Sequence, residues 1–248
     1  CSSDMLPAIV GHGGIHPIIQ MLKNSDNDDV CGPSTSPHGQ CLCLAAVRRL
    51  AAASPEYRGI LVEGDILNIL SLRGAHQKHK TWHVEIDCLR EVSACLLELT
   101  LSPNLRRNVA ARCRAVLLLT AASVDIETAT KSIGALGNIA EEIDLHRGLR
   151  DSGIINLLSS RLSSTGMAIA SPFSSGSGHI FGETTRTLSN VLSTSSCQVD
   201  FVRCGGLGDL LNIVSAKMTL STSSHLKAIA RFIAQSLRKL SFNSTSHG

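Results

Sequence analysis

Gly153-Ile154-Ile155-Asn156-Leu157-Leu158 reads as a turn residue followed by the apolar start of a helix, and variants of it return along the chain. The same reading fits Gly14-Ile15-His16-Pro17-Ile18-Ile19-Gln20-Met21-Leu22 and Gly64-Asp65-Ile66-Leu67-Asn68-Ile69-Leu70. It also fits Cys113-Arg114-Ala115-Val116-Leu117-Leu118-Leu119 and Gly206-Leu207-Gly208-Asp209-Leu210-Leu211-Asn212-Ile213-Val214. The turn positions 14, 64, 113, 153 and 206 lie 50, 49, 40 and 53 residues apart. Self-similarity at this spacing indicates a helical solenoid, an architecture that ordinarily serves as a surface for holding other molecules.

A longer helix follows each of these passages, over 40–54, 83–102, 125–142, 183–195 and 225–241. Apolar residues recur in each at i, i+3, i+4 and i+7, as in Ala129, Ile133, Leu136, Ile139 and Ala140, or Leu226, Ile229, Ile233, Leu237 and Leu240. That period gives a helix one buried face. A short polar helix then leads to the next turn, as at Pro55-Glu56-Tyr57-Arg58, Pro103-Asn104-Leu105-Arg106-Arg107 and Asp144-Leu145-His146-Arg147. Proline suits a helix start, where its missing N–H would have no partner anyway. Each repeat therefore has a short, a medium and a long helix, with repeats over 1–54, 55–102, 103–143, 144–195 and 196–248.

The third repeat has Cys113-Arg114 where the others have glycine. A left-handed turn is strained without glycine, which points to a more continuous helix there; plain divergence of the repeat is the alternative and the weightier one. The excess length of the repeats falls between the second and third helices, over 24–39, 73–82, 163–181 and 217–224. These stretches are rich in Ser, Thr, Gly, Pro and Asp, cannot build a core, and read as mobile loops along one edge.

Composition narrows the function. Of 248 residues 43% are hydrophobic and only 3% aromatic, so the core is aliphatic. A net charge of +3 is too small to point to nucleic acid or a membrane surface. Punctuation by Gly, Pro and Asn-Gly is too sparse for a β-sandwich. The nine cysteines are odd in number and mostly embedded in apolar stretches such as Cys41-Leu42-Cys43-Leu44. They read as small hydrophobes of a reducing compartment, the cytoplasm or the nucleus. The sequon Asn243-Ser244-Thr245 carries little weight, and no apolar run approaches the length of a membrane span. The start at Cys1 and the uncapped polar end at 241–248 read as a fragment of a longer protein.

Catalytic signatures are missing. Ser174-Ser175-Gly176-Ser177-Gly178 is not a nucleophile elbow, and there is no phosphate loop and no His-Glu-x-x-His. Asp26, Asp28 and Asp29 lack the Gly and Glu of a calcium loop. His76, His79 and His83 would align on a helix but sit beside Lys78 and Lys80, which oppose a metal. No enzyme, no cofactor and no metal site is expected.

A three-helix repeat with glycine before its second helix and a polar residue late in its third resembles the armadillo repeat. The resemblance is carried by Ile60-Leu61-Val62-Glu63-Gly64-Asp65-Ile66, Leu149-Arg150-Asp151-Ser152-Gly153-Ile154-Ile155, Ala135-Leu136-Gly137-Asn138-Ile139-Ala140 and Thr187-Leu188-Ser189-Asn190-Val191-Leu192. HEAT-type repeats are the near neighbour. The resemblance implies an all-α, right-handed armadillo-type superhelix of about five repeats, with serine-rich insertions on one edge.

In that family the third helices line a concave groove where a late Asn binds the backbone of an extended peptide. The corresponding ladder here is Arg49, Glu98, Asn138, Asn190 and Lys239, so only two repeats keep the Asn. The nuclear-import adaptors of the family place a Trp one turn earlier, where this chain has Ala45, Ala94, Gly134, Arg186 and Gln235. That departure argues against a receptor for lysine-rich cargo.

Lys227, Arg231 and Lys239 along the last helix, with Arg186, Arg90 and Arg49 before them, make the face mildly basic, interrupted by Glu98 and Glu142. Arginine pairs carboxylates and phosphates bidentately, so an acidic or phosphorylated peptide is the expected partner, and a merely solvated helix face is the alternative. The expected function is a non-catalytic scaffold or adaptor for a protein partner. The alternative is a regulatory or targeting region of a larger ubiquitin ligase or serine hydrolase. Nucleic acid is not expected, for want of basic density and stacking aromatics.

Overall fold

The computed structural model describes residues 5–24, 36–75, 82–168, 177–217 and 224–244. These are helical and short-linked, with no strand among them. The chain divides into two bodies, Cys1–Thr120 and Ala121–Gly248. The first contains α1 (Leu6–Gly11), α2 (Ile15–Asn24), α3 (Pro37–Ala53), α4 (Pro55–Glu63), α5 (Ile66–Ala75), α6 (Trp82–Thr100) and nearly all of α7 (Pro103–Ala121). The second contains α8 (Ile126–Ile139), a 3-10 turn (Ile143–Leu145), α9 (His146–Asp151), α10 (Ile154–Ala168), α11 (Ser177–Val191), α12 (Ser195–Arg203), α13 (Gly206–Lys217) and α14 (Ser224–Ser244).

The junctions follow from local chemistry. Ser54 ends α3 and begins α4: its Oγ accepts the Tyr57 N–H at 3.3 Å, and Pro55 occupies the first helical position. Asp125 does the same for α8, accepting the N–H of Thr128 at 3.0 Å and its hydroxyl at 2.7 Å. The left-handed turn residues are Gly13, Asp65, Gly153 and Gly205. Three of these neighbour the positions 14, 64 and 206 read as turns, and for one reason. A Cβ at Gly14, Gly64 or Gly206 would collide with Ile9, Ile19 or Phe201, so these glycines serve close approach while a neighbour takes the turn. Asp is among the few other residues that tolerate this conformation. The Asp65 carboxylate accepts from Asn68 at 2.5 Å and from Arg112 at 3.2 Å.

The third repeat departs from the three-helix plan. α7 runs unbroken through Cys113, which is buried and donates its thiol hydrogen to the Leu67 carbonyl at 3.3 Å. Burial pushes that thiol's pKa up to about 12. Without glycine at the turn, continuation costs less than a left-handed kink, and the first two helices fuse. α11 starts at Ser177 rather than near 183, because Ile180 and Phe181 are buried and repay the ordering of a Gly- and Ser-rich turn. α10 likewise extends to Ala168. What is left of the four serine-rich insertions, 25–35, 76–81, 169–176 and 218–223, lies outside the described residues.

One recurring contact was not anticipated. A side chain in the first turns of a helix closes a carbonyl at the end of the preceding long helix: Arg58 to Ala51 at 2.7 Å and Arg106 to Thr100 at 3.1 Å in the first body. In the second body, His146 meets the Ala140 carbonyl at 2.7 Å and Gln198 donates to Leu192 at 2.7 Å. Three kinds of side chain thus satisfy orphan carbonyls at helix ends. Gln198→Leu removes a buried donor, and a loss of about 1–2 kcal/mol in urea unfolding is expected.

Candidate partner-binding face

The long helices α8, α11 and α14 of the second body are stitched by side chains that reach the preceding helix's backbone. From α11, Thr187 donates to the Ile133 carbonyl at 3.0 Å, Arg186 to Gly134 at 2.9 Å and Asn190 to Gly137 at 3.0 Å. Gly137 is small because a Cβ there would stand 2.6 Å from the Thr187 hydroxyl and 2.8 Å from the Arg186 guanidinium. From α14, Lys239 donates to the Ser189 carbonyl and, at 2.9 Å, to the Ser193 hydroxyl, while Gln235 accepts from Ser189 at 3.3 Å. The ladder positions are thus spatial neighbours, and their polar groups bind helix to helix.

This changes what each residue has left. Asn138 is 7% exposed and already makes a contact within the protein, so it is not an open clamp. Asn190 is partly exposed, with one amide hydrogen on Gly137 and its Oδ1 open. Arg186 is neutralised by Glu183 at 2.8 Å and Glu141 at 3.7 Å. Burial holds the Lys239 ammonium below the ordinary lysine range. Arg231 is exposed on α14. The Lys227 side chain lies outside the described residues. Glu142 is partly exposed and engaged.

In the first body, α3 and α6 carry the remaining positions. Arg90 pairs with Asp87 at 3.2 Å within α6, and Glu98 is partly exposed. Arg48, not among the expected site residues, donates to Glu91 at 2.6 Å across the two helices. Arg49 is exposed and rims an apolar cavity of about 280 Å³ lined by Leu6, Ile9, Ile18, Leu42 and Ala45.

Among the described residues no group of three or more His, Cys, Asp or Glu is placed to hold a metal ion. Asp26, Asp28, Asp29, His76 and His79, and the His83 side chain, lie outside them. No described helix is long and apolar enough to cross a membrane.

No protein-family model matches the chain, and no curated protein matches it in sequence. Solved structures do. An engineered protein superposes with a TM-score of 0.73 at 18% identity, over 97% of this chain and 85% of its own. A designed armadillo repeat protein gives 0.72 at 13% identity, over 96% and 86%. The fold is the armadillo repeat fold. Another designed armadillo repeat protein, solved with a (KR)4 peptide, matches equally, at 0.72 and 13% identity over 96% and 86%. The armadillo assignment agrees with the three-helix plan of four repeats and with the parallel stitching of α8, α11 and α14.

Proposed function

We propose that this chain is a non-catalytic scaffold that holds a peptide or protein segment along its long helices. The observation that carries the reading is Asn190. Its amide is fixed by Gly137 while an acceptor and a second donor hydrogen stay open on a partly exposed side chain. A fixed Asn can pair with a peptide bond whatever the peptide's sequence. The designed armadillo protein solved with (KR)4 supports peptide binding by this fold.

The charge of the preferred peptide is acidic or phosphorylated in this reading. Arg231 in the second body and Arg49 in the first are exposed, whereas the carboxylates near Asn190 are answered by Arg186. Fluorescence anisotropy with a short Glu-rich peptide, its phosphoserine counterpart and a Lys-Arg peptide tests this. The first two are expected to bind, and Arg231→Glu is expected to weaken them about tenfold through like-charge repulsion. Preference for the Lys-Arg peptide overturns the acidic specificity. Wild-type affinity in Asn190→Leu overturns the role of Asn190.

A further inference from the structure

Cys41 in the first turns of α3 and Cys88 in α6 belong to the same body, and their thiols hydrogen-bond to one another across the helix pair. Both side chains are partly exposed and neither thiol is in a disulfide. The pair sits in a firm register. Further along the same two helices, Arg48 holds Glu91 at 2.6 Å and Cys95 donates to the Leu44 carbonyl at 3.4 Å. These contacts set the register in which the two sulfurs meet, and two sulfurs in hydrogen-bond contact need only close to about 2.05 Å to become a disulfide.

We propose that Cys41 and Cys88 form a dithiol modification site, which a low-molecular-weight disulfide such as oxidised glutathione closes to a Cys41–Cys88 disulfide bridging α3 and α6. In the first step a Cys41 thiolate attacks one sulfur of the small disulfide, forming a mixed disulfide and releasing one small thiolate. In the second, the Cys88 thiolate attacks the Cys41 sulfur, forming the protein disulfide and releasing the second thiolate. The two thiol protons end on the two small thiols. The protein loses two electrons and the small disulfide gains them.

The surroundings set the order of attack. Burial raises both thiols, and Cys88 the further, to about 12. The Arg73 guanidinium pulls Cys88 back, while Asp87 and Glu91 carboxylates oppose ionisation. Cys41 therefore supplies the attacking thiolate and Cys88 resolves, slowly at neutral pH, since only the thiolate reacts. Cys43, two residues along α3, points away from this pair, and Cys95 is buried. Cys41 also precedes Ala45 and Arg49 by one and two turns. The bridge would lie at the end of the row that Ala45 and Arg49 form on α3, and its formation does not require a partner bound there.

The full chain is incubated with oxidised glutathione, remaining thiols are alkylated, and peptides are mapped without reduction. The expected product is a Cys41–Cys88 linked peptide, lighter than the two thiol peptides by their two hydrogens and lost on reduction. Cys43→Ser should leave it intact. Cys88→Ser, with its thermal midpoint checked against wild type, should stop at a glutathione adduct on Cys41, and Cys41→Ser should give no link. Glutathione on both residues without a link overturns the proposal. So does an equal yield of a Cys41–Cys43 or Cys43–Cys88 link.

Discussion

Gly206→Ala is expected to destabilise the body formed by residues 121–248 by about 3 kcal/mol, the upper part of the usual range for overpacking a core. A Cβ at this position overlaps the ring of Phe201, which is fully buried. The ring cannot swing out without exposing its surface. The neighbouring Gly205→Ala acts differently: nothing stands within 4 Å of its Cβ, but its φ is +84°, and left-handed backbone costs a residue with a Cβ about 1–2 kcal/mol. Rescue separates the two causes. Phe201→Leu should recover much of the loss in Gly206→Ala, so the double mutant is more stable than the sum of the singles. It should leave Gly205→Ala unimproved, whereas Asn at 205 should be milder than Ala. Urea midpoints of the six variants, the two double mutants included, decide it; equal rescue of both glycine variants by Phe201→Leu would refute the assignment.

Gly74→Ala should reverse the sign that helix propensity assigns. Inside an ordinary exposed helix this change stabilises by up to about 1 kcal/mol. In α5, however, the added methyl overlaps the Cγ atoms of Val116 on α7. Val116 is buried and β-branched, with little rotamer freedom to yield. A net loss of about 2 kcal/mol is expected, from overpacking set against propensity. Val116→Ala alone should also destabilise, by leaving a cavity, and combined with Gly74→Ala it should return most of the stability. If Gly74→Ala proves neutral alone, the close packing of α5 on α7 is wrong.

Both effects rest on glycines whose importance was only half legible. The repeated turn glycines marked where helices change direction. They did not separate the residue that needs left-handed backbone from the neighbour that needs to be small. At Gly64-Asp65 the roles are exchanged relative to Gly13-Gly14 and Gly205-Gly206, with an aspartate taking the turn. Gly74 carried no signal, because its need comes from Val116, remote in sequence. The capping side chains Arg58 and Arg106 were legible in part, each three residues after a helix-starting proline. His146 and Gln198 share the task without sharing the chemistry, so no residue pattern exposes them.

The candidate face divides the same way. Position in the ladder was readable from spacing, and the contacts of Arg186 with Gly134, Asn190 with Gly137 and Lys239 with Ser189 place those rungs beside one another. Availability was not readable. Asn138 and Asn190 look alike in the sequence, yet one is buried and the other partly exposed.

By itself, then, the sequence determined the helical class, the repeat period, the long amphipathic helices and the anomaly at Cys113, because hydrophobic period, capping and turn preference act over a few neighbouring residues. Tertiary structure alone decided which glycines are obligatory and which polar groups on the long helices remain open. Gly64, Gly74 and the stitched rungs depend on side chains and carbonyls about one repeat away, brought close only when one helix stacks on the next. Gly14 and Gly206 depend instead on how the adjoining helix folds back onto them.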